Sequence, residues 1–122
     1  MNVGFLSAAI VSLFTWGVHT FLGGPAVAKP LLDSDMEEVA KYTNYYCWHA
    51  ITIVLFAMAG GYAYAAFVPA GWDVAALFTF LAVAFAVWSW VLIFWSKRTA
   101  LELPQWTLFL AISIAAGWGL LT

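Results

Sequence analysis

Residues 73–96 read DVAALFTFLAVAFAVWSWVLIFWS, and after Asp73 no charged side chain appears until Lys97. A run of this length meets the ~20 apolar residues that cross the ~30 Å hydrocarbon layer of a bilayer. Three more windows resemble it, at about 3–22, 44–68 and 103–121. All four are continuous rather than alternating, which selects helices over barrel strands. The 122-residue chain is 66% hydrophobic and 8% charged, with a mean hydropathy of +0.95, against about 25% charged in soluble domains. The expected architecture is all-α: one integral membrane domain over 1–122, an antiparallel four-helix transmembrane bundle whose first partner is the lipid bilayer.

Within 73–96, Ala75, Thr79, Ala82, Ala86 and Ser89 recur at spacings of four and three. Small residues in such a stripe let helices approach closely inside a membrane, so this is the expected packing face. Trp88, Trp90 and Trp95 precede Lys97 and Arg98 as interfacial anchors. Upstream, Pro69-Ala70-Gly71 predicts a tight turn. Downstream, Leu103-Pro104-Gln105-Trp106 opens the fourth span, where Ser113 and Gly117 form another small pair.

The first span carries Ser12, Thr15, Trp16 and His19 on one face, and Gly23-Gly24-Pro25 is expected to end it. The connection from Ala26 to Lys41 holds four of the six acidic residues. Its Ser34-x-x-Glu37 spacing predicts a capping box, with a helix starting near Ser34 and extending into the second span. Glu37 and Lys41 have the spacing of a helical ion pair. Ala26-Val27-Ala28 has the pattern of a signal-peptide cleavage site, but no basic residue precedes the apolar run, so the segment is expected to remain as a span.

Lys29, Lys41, Lys97 and Arg98 all fall in the connections after the first and third spans. The positive-inside rule makes that side cytoplasmic and puts both termini outside.

Ionisable groups at membrane depth are the natural functional candidates, and here they are His19 and His49. Each lies one to two turns inside its helix, at matched depth if the first two helices pack together. Two such imidazoles can serve as axial ligands of haem b or as transition-metal ligands, with Tyr45, Tyr46, Trp16 and Thr52 lining the site. Against this stands a simpler role, histidines hydrogen-bonded to neighbouring hydroxyls, and for Tyr42 to Trp48 an aromatic interfacial belt. Cys47, two residues from His49, faces the other way and reads as a small buried hydrophobe. No carboxylate is placed at that depth, so a closed zinc or copper site would need ligands from a second protomer or from Tyr45 and Tyr46.

No basic patch supports nucleic-acid binding, and neither a phosphate loop nor a Ser-His-acid set supports hydrolase or kinase chemistry. The expected function is non-enzymatic, that of a structural or accessory membrane protein, as a homo-oligomer or as a subunit of a larger complex. The alternatives are a haem- or metal-binding protein using the histidine pair, and a small transporter or a protein binding a quinone or lipid.

The segments His19 to Pro25, Tyr45 to His49 and Leu103 to Trp106 resemble parts of small four-span bacterial inner-membrane proteins of uncharacterised activity. That resemblance implies a bacterial inner membrane and a four-helix plan, and assigns no activity to any residue.

Overall fold

The structure, a computed structural model, describes residues 1–122, and all of its regular secondary structure is helical. Helix α1 is Val3–Gly17, α2 is Lys29–Leu32, α3 is Glu38–Phe67, α4 is Trp72–Ser96 and α5 is Gln105–Leu121. Three segments, Val3–Leu22, Glu38–Phe67 and Pro69–Ser96, are long and apolar enough to cross a membrane. The segment expected as a fourth span is apolar but shorter, with 17 helical residues. Its helix starts only at Gln105 because the residues before it are held in a turn. Thr99 N–H donates to the Glu102 carboxylate at 2.7 Å, and Glu102 N–H to Thr99 Oγ1 at 3.3 Å.

The expected stop at Gly23-Gly24-Pro25 does not occur. The chain stays helical from α1 into α2 through two π-helical turns, Val18–Leu22 and Gly24–Ala28. Gly23 N–H bonds to Val18 O, and Lys29 N–H to Gly24 O, each five residues back. Proline normally breaks a helix because its ring meets the carbonyl four residues earlier and it has no N–H to donate. A ladder reaching five residues back accommodates both defects. Gly23 keeps a right-handed backbone, φ −69°, so the freedom that makes glycine a helix stop is unused.

The capping box expected at Ser34 is also displaced. Helix α3 begins at Glu38 with Glu37 itself as cap, its carboxylate accepting from Val39 N–H at 3.0 Å and Ala40 N–H at 3.1 Å. Ser34 instead donates to Leu31 O at 2.7 Å, closing the turn after α2. With its carboxylate engaged, Glu37 forms no ion pair with Lys41; Lys29 pairs with Asp33, and Arg98 with Glu102. The short extension of α3 ahead of the apolar run is present, as expected.

Helix α1 packs against α3 and α5, and α4 against α5 and α3. Residue pairs set the directions. Asn2 N–H donates to Ala66 O at 2.8 Å and Asn2 Nδ2 to Gly119 O at 2.8 Å, joining the start of α1 to the ends of α3 and α5. Phe5 stacks on Tyr62, whose hydroxyl lies 3.3 Å from Thr79 Oγ1 on α4. Phe85 meets Phe109, and Trp90 meets Trp106, pairing the second half of α4 with the first half of α5.

The core around Tyr62, Leu55, Met58 and Ile112 is filled out by Ala8, Ala75, Ala82 and Ala116. Ala75, Thr79 and Ala82, three of the five residues of the expected stripe, are buried, as packing through small residues requires. The Pro69–Gly71 turn forms a short 3₁₀ helix. Each long helix also carries exposed large apolar side chains, such as Phe14, Phe56, Phe80 and Ile114. Cys47, expected to be buried, is exposed among them.

Candidate functional site: the polar end of the first and third helices

The sequence directs attention to His19 and His49, and the structure gives them different surroundings. His19 lies in the first π-helical turn. Its ring stacks on Trp48 of α3, with centroids 4.0 Å apart and planes 17° from parallel. Its Nε2 lies 2.9 Å from Thr52 Oγ1 and 3.2 Å from Trp48 O. A carbonyl oxygen only accepts, so the tautomer protonated at Nε2 satisfies the Trp48 contact. Thr52 Oγ1 also donates to Trp48 O at 3.2 Å, so the three groups form one knot across the helix interface.

The local sequence explains this placement. Gly23 permits the approach of Trp48, because a β-carbon there would come within 2.7 Å of Trp48 Cη2. The π-turn changes the azimuth of the residues that follow it, as an extra residue in a helical turn must. His19 is thereby held by packing on one face and hydrogen bonding at one edge.

His49 is exposed, and the edge of its ring meets Tyr45 at a centroid distance of 4.6 Å. It lines a groove of about 410 Å³ between α3 and the helical stretch from Thr20 to Asp33. Tyr45, Trp48 and Thr52 form the α3 wall; Gly24, Ala28, Lys29 and Leu32 contribute to the other. A β-carbon on Gly24 would meet nothing within 4 Å, so the groove is open above it. Thr20 Oγ1, also on this wall, is shielded from solvent and has no hydrogen-bond partner.

Of the expected lining residues, Thr52 joins His19, and Tyr45 joins His49. Trp16 lies apart, against Phe21 and Phe56. Tyr46 is exposed, beside Tyr42, Thr43 and Glu38. The structure contains no cluster of three or more His, Cys, Asp or Glu side chains placed to hold a metal ion. Haem needs only one or two ligands. For His19 to serve, it would have to release Nε2 from Thr52 and Trp48 or bind through Nδ1.

Sequence reasoning missed Trp48, which reads as an interfacial anchor, and the groove wall formed by Thr20, Lys29 and Asp33. The signal for that wall was the i,i+4 spacing of Lys29 and Asp33. It was masked by the expected stop at Gly23. No family model, curated protein or solved structure matches the chain.

Proposed function

We propose that this chain is an integral protein of the bacterial inner membrane, a four-span antiparallel bundle with both termini on the periplasmic side. Its role is non-enzymatic: a structural or accessory subunit that associates with copies of itself or with a larger membrane complex. One observation carries the reading. Large apolar side chains are exposed on every long helix, including Phe14, Ile53, Phe80, Phe94 and Ile114, and only lipid or other membrane helices can cover such a surface. The fourth span is the 17-residue α5, about 25 Å at 1.5 Å per residue, within reach of a locally thinned bilayer.

The full-length chain should stay in the membrane pellet through an alkaline carbonate wash and migrate in mild detergent as an assembly larger than one chain. Release by carbonate would sink the membrane reading; a strict monomer with no co-purifying partner would sink the accessory role. Orientation has a separate check. With Cys47 replaced by serine, cysteines at positions 29 and 97 should resist an impermeant label from outside. Labelling at both would invert the topology.

The second reading is a haem- or metal-binding protein using His19 and His49, favoured by the π-turn that holds His19, since such turns recur at functional sites. It predicts a visible absorption band or bound metal in protein from replete cells, lost in His19→Ala and His49→Ala. A colourless, metal-free preparation excludes it.

A further inference from the structure

We infer that the groove between α3 and the Thr20–Asp33 stretch binds one zwitterionic phospholipid headgroup carrying a primary ammonium. The inference rests on the membrane reading and adds a ligand to it.

The chemistry of the walls selects the headgroup. Lys29 brings a cation, and Tyr45 and His49 bring a phenol and an imidazole, all able to donate hydrogen bonds to phosphate oxygens. Asp33 is the one acidic group on the walls and accepts from an ammonium. A neutral quinone ring would use the neutral donors and leave Lys29 and Asp33 without a role.

Lys29 and Asp33 bond to each other in the structure, with both side chains well exposed. Such pairs contribute little to stability, so exchanging the partner for phosphate on one side and ammonium on the other is nearly isoenergetic before the ligand's own bonds are counted. The open space above Gly24 provides room for the head, and exposed Phe21 and Leu22 on the adjoining turn offer apolar surface to the acyl chains.

The test is native mass spectrometry of the full-length chain released from detergent, titrated with phosphatidylethanolamine, phosphatidylglycerol or phosphatidylcholine of matched chain length. One phosphatidylethanolamine per chain should be retained about ten-fold better than the other two, the scale of one charge-assisted hydrogen bond. Asp33→Asn should abolish the preference over phosphatidylcholine, and Lys29→Gln should weaken retention of all three. Gly24→Leu should block the site, whereas Lys97→Gln, in the other basic connection, should change nothing. Should Gly24→Leu fail to fold, Asp33→Asn still decides, because that side chain is exposed.

Equal retention of the three lipids overturns the inference, as does an Asp33→Asn variant that keeps the preference. A one-to-one quinone that phospholipid does not displace also overturns it. In each case the membrane reading survives, since that fails only if the chain leaves the bilayer in the carbonate wash.

Discussion

The two ends of the bundle are built on opposite plans. At the end holding both termini, α1 and α5 approach so closely that a β-carbon on Gly4 would collide with the backbone of Gly119, and one on Gly119 with Phe5. Asn2 bonds to both neighbouring helices there, and Tyr62 is fully buried. At the other end the helix leading out of α1 is widened by two π-turns, a groove opens beside it, and contact with α3 runs through an imidazole, an indole and a hydroxyl. Where lipid removes the hydrophobic drive between helices, close packing of small residues supplies most of the association energy. The tight end should therefore set stability, and the open end should be free to carry a ligand.

The sharpest way to break that division is to enlarge Gly4. Gly4→Ala places a methyl group against backbone that cannot move aside and should destabilise the fold by about 1–3 kcal/mol, the usual range for overpacking. Gly60→Ala and Gly117→Ala, where a β-carbon meets nothing within 4 Å, should be neutral or slightly stabilising. Unfolding titrations in mixed micelles compare the three, and equal effects would show that the close approach at Gly4 does not set stability.

Asn2→Ala comes next. It removes the cap on Phe5 N–H and the bond to Gly119 O, and should cost about 1–2 kcal/mol in the same titration. At the open end, His19→Ala should cost about 1 kcal/mol or less, in line with hydrogen bonds between membrane helices. A loss larger than that of Gly4→Ala would reverse the comparison.

The smallest expected effect lies outside the apolar spans. Backbone N–H bonds from Val39 and then Ala40 hold the Glu37 carboxyl below its usual 4.5. A group depressed in the folded state contributes stability above its unfolded value and loses that contribution as the pH falls through the folded one. Amide protection at Val39 and Ala40 should therefore decline below pH 4.5 and be low at every pH in Glu37→Ala. Val39 and Ala40 protection in the native chain no greater than in Glu37→Ala at neutral pH would remove Glu37 as the cap.

The long apolar helices, the Pro69–Gly71 turn and the buried face of Ala75, Thr79 and Ala82 were legible because hydropathy and side-chain size act over many residues. Local signals with two possible outcomes were not. Gly23-Gly24-Pro25 can end a helix or widen it, and tertiary contact with Trp48 decides which. Ser34 and Thr99 each stand three residues before a glutamate, yet the reciprocal box forms only at Thr99 and Glu102. The pairing of His19 with α3 was legible as a question of depth, but its partners Trp48 and Thr52 depended on the azimuth that the π-turn sets.

Each π-turn spends one residue more than an α-helix needs. Drawing Val18 to Leu22 into the ordinary ladder without removing that residue would rotate everything beyond it by about 100° around the axis. Lys29 and Asp33 would leave the side that faces α3, although the helix itself would be more regular. The groove is thus encoded by a residue count as much as by residue identity. A chain one codon shorter in this segment would take the ordinary ladder and still keep Lys29 and Asp33 on the side that faces α3.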